Sequence, residues 1–321
     1  MGDLAAHLTG PNAQFLKKPF FVQKMFEQMD PYLAFSGMVP AMGIQSRAVI
    51  VTKESTSNAN DTKKVWPARL TESSDWPNVS ITPITQDSAM LQKYGLELRI
   101  GEDLLKMPEG KIQITRAMQR TAFWMAQFRN SKIASDMIAG GTALGDDWAP
   151  TAAWSDKDNQ TPLQDLITFK RSMRTVNKPF ACDNIYANSE NYDELELWLI
   201  DVNADLAKRQ LIGQTTVGEN SVFIPALKAT VHRIDEGVDE GRLLGLDSIN
   251  PCGTYYYFND PMYGTKEVTY KTRDGPKTVK GLGLNVHQFF DDNKMEVVNK
   301  LWFDFKFAIE DAGGAITDTG V

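Results

Sequence analysis

Residues 295–309 read Met295-Glu-Val-Val-Asn-Lys-Leu-Trp-Phe-Asp-Phe-Lys-Phe-Ala-Ile309. Val297, Leu301, Phe303, Phe305, Phe307 and Ile309 share one parity; Val298, Lys300, Trp302, Asp304, Lys306 and Ala308 share the other. A period of two is that of a β-strand, here with one apolar face and one mostly wet face. At ~3.3 Å per residue it would run on the order of 50 Å, where an ordinary strand has about 5–6 residues. A strand this long needs an equally long support, and 110–138 offers one. There Ile114, Met118, Ala122, Met125, Phe128, Ile133 and Met137 recur at helical steps, Arg116, Arg120, Gln127 and Lys132 mark a wetter side, and proline is missing. The spacing predicts a helix of roughly 40 Å, ended by Gly140-Gly141. A chain organised around one long strand and one long helix builds an elongated slab more readily than a round enzyme.

Lys plus Arg number 34 and Asp plus Glu 41, a net charge of −7. That balance argues against a dedicated nucleic-acid binder, which shows a basic face, and leaves room for loose contact with DNA. Cys182 and Cys252 are the only cysteines, too few for a disulfide framework, and free buried thiols are expected. The start lacks the basic and apolar regions of a signal peptide. No apolar run approaches the ~20 residues that span a bilayer, so no membrane partner is expected.

Residues 1–45 read as an arm. Pro11, Pro19, Pro31 and Pro40 punctuate it, one short amphipathic helix fits at about Phe20–Gln28, and Phe15, Phe20, Phe21, Phe26, Tyr32 and Phe35 demand a surface to lie on, in the same subunit or a neighbour. Residues 46–90 read as a long hairpin. Arg47–Lys53 is one strand, Glu54–Lys64 a polar tip, and Val65–Leu70 and Val79–Ile84 return as extended segments confined by Pro67, Pro77 and Pro83,. It has too little apolar residue for its own core, and an isolated hairpin is marginal in water. Lys53, Lys63, Lys64 and Arg69, with Trp66, are therefore candidate contacts to a partner, as are Phe15, Phe20 and Phe21 of the arm.

Tyr94–Ile100 alternates as a further strand. Thr161-Pro162 opens a helix; Phe180–Ala187 reads as a buried strand; Ser189–Ile200 reads as a helix capped by Asn188 or Ser189. With Ser221–Pro225 and Thr230–Ile234 these make a compact α/β subdomain. Residues 266–285 are strand-rich and basic, turning at Asp274-Gly275.

Chemistry-bearing constellations are sparse. His7, His232 and His287 do not share a zinc spacing,. Gly281-Leu-Gly283 lacks the third glycine of a dinucleotide loop,. Asp235–Gly241 gathers four carboxylates around two glycines without the spacing of a calcium loop, and reads as a solvated turn. No catalytic residue, metal or cofactor is expected, and the chain is not expected to be an enzyme.

The order of parts resembles the major capsid protein of tailed phages and related archaeal viruses, the Hong-Kong-ninety-seven-type fold. Trp76-Pro77, Lys93-Tyr-Gly-Leu-Glu-Leu-Arg-Ile-Gly-Glu-Asp-Leu-Leu105, Asp165-Leu-Ile167, Asn184-Ile-Tyr-Ala-Asn-Ser189 and Glu310-Asp-Ala-Gly-Gly-Ala315 carry the likeness. It implies an α+β fold with an N-terminal arm (1–45) and an extended E-loop hairpin (46–90). A peripheral domain (91–161) would hold the spine helix (110–138) and a long antiparallel sheet, an axial α/β domain would span 162–261, and 262–321 would return to the peripheral sheet. The implied function is a major capsid protein that self-assembles as pentamers and hexamers into an icosahedral shell around double-stranded DNA. The implied partners are copies of itself, a separate scaffolding protein, portal and decoration proteins, and packaged DNA loosely held. The implied location is the virion, with host cytoplasm during assembly. Two other readings compete: an encapsulin-like nanocompartment enclosing a cargo enzyme, and an unrelated α/β enzyme. Some relatives join an E-loop lysine covalently to a neighbour; Lys63 or Lys64 would be that residue, but a non-covalent contact is the expectation.

Overall fold

The computed structural model describes residues 13–53, 85–143, 153–156, 158–176, 180–204, 216–217, 220–239, 241–265, 267–272, 275–280 and 283–318. These form helices α1 (Lys18–Met29), α2 (Glu102–Lys106), α3 (Gly110–Gly140), α4 (Pro162–Val176) and α5 (Ser189–Ala204). The strands are β1 (Ala41–Ile44), β2 (Ala48–Lys53), β3 (Thr85–Met90), β4 (Gln92–Gly101), β5 (Thr142–Ala143), β6 (Asn184–Asn188), β7 (Thr216–Val217), β8 (Ser221–Ile224), β9 (Ala229–Ile234), β10 (Leu243–Leu246), β11 (Gly253–Phe258), β12 (Glu267–Thr272), β13 (Gly275–Lys280), β14 (Leu284–Asp291), β15 (Glu296–Ile309) and β16 (Ala315–Asp318). The chain divides into two units. The first draws on residues up to Val49, on Ser88–Ile133 and on Thr254–Ala308; the second draws on Ile50–Asp87, Ala134–Gly253 and Ile309 onward.

The first unit is built around β15, the strand the alternation predicted. It runs antiparallel to both β14 and β4, so that Leu301 faces Val286 on one side and Leu96 on the other. Strand β11 joins the same sheet and carries β1 as a parallel neighbour. The expected wet face of β15 is a correction. Val298, Trp302, Asp304 and Ala308 of that parity are all buried. Side chains from adjacent elements cover Trp302, the Lys93 ammonium 4.1 Å from its ring centre and Tyr263 edge-on at 5.7 Å, and Asp304 accepts the Trp302 indole N–H at 3.1 Å. Aliphatic stems shield apolar surface in this way while their charged ends reach water.

Helix α3 has 31 residues and is about 46 Å long. Its buried stripe includes Ile114, Met118, Ala122, Met125 and Ala126. Two assignments from periodicity are reversed: Phe128 is 38% exposed and Gln127 is buried. The cause is Arg129, which takes the inward position with its guanidinium 4.4 Å from the Tyr255 ring centre. A cation on an aromatic face can be buried where a bare one cannot, and this turns Phe128 outward against Tyr94, ring centres 4.9 Å apart.

The arm finds its surface within its own unit. Pro19 lies in the first turn of α1, where a missing N–H costs nothing. Phe21, Val22, Met25, Phe26 and Met29 are buried at helical spacing. Tyr270 on β12 donates to Asp30 at 2.7 Å, Lys277 on β13 pairs with the same carboxylate, and Gln288 on β14 donates to the Leu16 carbonyl at 3.0 Å.

The second unit is a seven-stranded mixed sheet in the order β5-β16-β10-β6-β9-β8-β7. Parallel pairs β5/β16 and β6/β9 interrupt an otherwise antiparallel ladder. Helices α4 and α5 pack on it through Leu166, Phe169 and Met173 and through Tyr192, Leu195 and Leu199, sharing one core with Ile185, Val231 and Leu243. Asn188 caps α5, its Oδ1 accepting the Asn191 N–H at 2.8 Å,. Strand β6 starts later than the sequence suggested, because the Asp247 carboxylate takes the Ala181 N–H at 2.8 Å. Gly245 on β10 has no room for a side chain: a Cβ there would lie 2.8 Å from Phe169 and 2.9 Å from Cys182.

Candidate inter-subunit surfaces

Burial shifts both cysteines and one histidine away from their reactive forms. The free Cys182 and Cys252 are buried, and burial pushes each thiol up to about 12, far from the thiolate that reacts. His232 is stacked on Tyr186 at 4.8 Å and bonded to Asn184 Oδ1 at 2.9 Å. Burial pushes its imidazole down to about 4, against a smaller upward pull from Asp183. Among the described residues no three His, Cys, Asp or Glu side chains are grouped to hold a metal. In the Asp235–Gly241 turn, Asp235 pairs with Arg233 at 3.2 Å and Asp239 with Arg242 at 3.6 Å.

The informative surfaces are apolar. Along α3 and β4 runs a cleft of about 490 Å³ lined by Tyr94, Gly95, Leu96, Trp124, Met125 and Phe128. Trp124 is 59% exposed, a large aromatic presented to solvent beside a strand that, among the described residues, pairs only with β15. Gly95 permits the close approach of that strand: a Cβ would lie 2.5 Å from the Leu301 carbonyl oxygen. An exposed aromatic, an apolar floor and an open strand edge together form a surface suited to an extended partner. Ionic groups on the same strand hold the neighbouring rim. Arg99 reaches Glu97 at 2.8 Å, Glu296 at 3.3 Å and Asp291 at 3.5 Å, while Lys300 reaches Glu97 at 3.1 Å. Bonds from Lys300, then from Arg99, hold the Glu97 carboxyl below its ordinary range.

The hairpin is described at its root. Strands β2 and β3 pair, Lys53 binds Asp87 at 2.7 Å, and Ile50 and Met90 are exposed. Lys63, Lys64, Trp66 and Arg69, with the extended segments expected at 65–70 and 79–84, lie outside the described residues. In the arm, Phe15 falls in the short turn Ala13–Leu16. Phe20 is half-buried, with the Lys24 ammonium 6.0 Å from its ring centre, and Phe21 is fully buried. Of the arm aromatics Phe21 is thus a core residue and Phe20 a partly exposed one, and of the hairpin cations Lys53 alone falls within the described residues. The Trp124 cleft was missed from sequence. Its signal was Trp124 itself, which falls between the helix's buried positions.

No protein-family model and no curated protein matches the chain. Solved structures do. A protein of the virus-like particle from Pyrococcus furiosus superposes with a TM-score of 0.54 at 8% identity, over 94% of this chain and 99% of that one. A phage-related protein from Bordetella bronchiseptica gives 0.52 at 13%, over 94% and 95%. The capsid protein of a native GTA particle gives 0.51 at 14%, over 90% of each chain. This is the phage major capsid fold. At such identities the likeness speaks for architecture, and a fold by itself does not fix function. The capsid fold does give the surfaces a context: an α+β scaffold in which, among the described residues, the β4 edge and the Trp124 cleft are uncovered.

Proposed function

We propose that this chain is a major capsid protein, self-assembling as pentamers and hexamers into an icosahedral shell around double-stranded DNA. The observation that carries the reading is the capsid fold extending over 94% of the chain. The exposed aromatic cleft beside a strand edge that is unpaired among the described residues supports it, because closed assemblies distribute such surfaces over neighbouring copies. In this reading 1–45 is the arm, 46–90 the E-loop, 91–161 and 262–321 the peripheral domain and 162–261 the axial domain. Lys53, Lys63, Lys64, Trp66 and Arg69 of the hairpin, with Phe15 and Phe20 of the arm, reach neighbours, each contact weak and the sum strong, whereas Phe21, expected among them, is buried in the core of its own unit. The net charge of −7 suits a wall that confines DNA without gripping its phosphates. A scaffolding protein, a portal and decoration proteins are the further partners. Assembly occurs in host cytoplasm and the product is the virion.

Electron microscopy of purified, nuclease-treated protein tests the proposal. Closed particles with five-fold and six-fold clusters, holding protected DNA when made during infection, are expected. A monomer under all assembly conditions overturns the reading, and particles filled with a cargo enzyme and free of DNA replace it with a compartment.

A further inference from the structure

The second unit carries two helices whose outward faces have opposite sign. Helix α4 turns Ile167, Lys170, Arg171 and Arg174 toward a cleft of about 170 Å³ closed by Ala226 and Leu227. Its single carboxylate, Asp165, is buried and accepts the Trp154 indole N–H at 3.0 Å. The Lys170 ammonium donates to the carbonyls of Leu227 at 2.7 Å and Lys228 at 3.0 Å, which fixes the floor of the cleft. Burial, then the nearby Arg174 and Lys228 cations, lower its pKa. Helix α5 is the reverse, with five carboxylates at Glu190, Asp193, Glu194, Glu196 and Asp201 and no lysine or arginine. Its outward stripe places Leu197, 52% exposed, and Ile200, 57% exposed, among those acids.

Each face is an apolar centre with like charges around it, Ile167 among cations and Leu197 with Ile200 among anions. That is the anatomy of a protein–protein interface, with opposite signs to set partner and register. The two helices cannot satisfy each other within one protomer, because the inward sides of both are fixed in the same core. We propose that the α4 face of one protomer receives the α5 face of the next copy, head to tail, around the rings of the shell. This inference rests on the shell reading. Two different patches meeting make a heterologous contact, which generates a ring when its rotation closes.

The test exploits parity. One variant, Arg171→Glu with Arg174→Glu, makes both faces acidic; a second, Glu194→Lys with Glu196→Lys and Asp201→Lys, leaves α5 only Glu190 and Asp193, the latter paired with Arg233 at 3.1 Å, and makes both basic. All five side chains lie outside the core that the two helices share, so far-ultraviolet circular dichroism and the melting temperature should match wild type. Each variant alone should lose at least about tenfold in ring yield by native mass spectrometry. Mixed in equal amounts, they pair only in alternation, so even-membered rings return while five-membered rings, and with them closed shells, do not. A chain carrying all five substitutions should recover both ring sizes. Either variant alone assembling like wild type, a mixture yielding pentamers as readily as hexamers, or a mixture stopping at dimers overturns the head-to-tail pairing. A defect confined to the Arg171/Arg174 variant also overturns it, because the cleft then serves another occupant, such as an acidic peptide or nucleic acid. Wild-type protein that forms no ring at all removes the shell reading itself, an outcome distinct from wild-type rings beside a fully competent variant.

Discussion

In the first unit the sheet ends at β4, ten residues long and paired on one side only among the described residues. In the second it ends at β5 and β7, two residues each. Short edge strands are a usual defence against unwanted pairing. The second unit has that defence, closes its apolar residues into one core and shows the outside world charged helices. The first leaves a long edge open, with Trp124 beside it. The difference separates two kinds of association: one apolar and backbone-directed, needing an extended partner, the other electrostatic and salt-sensitive, choosing between faces of otherwise complete units.

Removing a core side chain breaks the comparison most severely. Phe169 is fully buried beneath β10, so Phe169→Ala should cost about 3–5 kcal/mol in a urea titration of the monomer. A loss below about 1 kcal/mol would mean that the second unit is looser than its packing shows.

Acid should strike the second unit next. Unfolded, His232 takes a proton near 6.5; folded, it waits until about 4. Between those values the unfolded chain binds the extra proton, so stability is full above pH 6.5 and declines as pH falls toward 4, by roughly 3 kcal/mol at the limit. His232→Gln should flatten that part of the pH–stability curve. His287 in the first unit is also lowered by burial but is partly exposed, so His287→Gln should flatten it less. An unchanged acid limb in His232→Gln would show that another group sets it.

The smallest effect on the folded chain should accompany a large effect on assembly. Trp124 contributes little to its own monomer, and Trp124→Ala should shift monomer stability by less than about 1 kcal/mol while particle yield collapses. Normal particles from this variant, with unchanged heat resistance, would show that the cleft is not an interface.

Much of the scaffold was legible along the chain. The strict alternation through Val297–Ile309 and the helical recurrence from Ile114 to Met137 each state a period that neighbours reinforce, so β15 and α3 appeared nearly at their true bounds. The Asn188 cap was readable because its cause is local,. Surfaces were less legible. Phe128 looked inward and Gln127 outward until Arg129 found Tyr255, a residue more than a hundred positions away. On the expected wet parity of β15, Trp302 is dry because Lys93 and Tyr263 cover it.

Local pattern was enough to mark β15 as a strand and α3, α4 and α5 as helices, since these follow from backbone geometry and nearest neighbours. Only the tertiary structure decided which of their faces were already covered. It made Arg129 a core residue and Trp124 a surface one, and it fixed α4 and α5 in one core with opposite charges outward. Burial depends on what lies across space, and the distant strand or loop that supplies the cover leaves no mark on the local pattern.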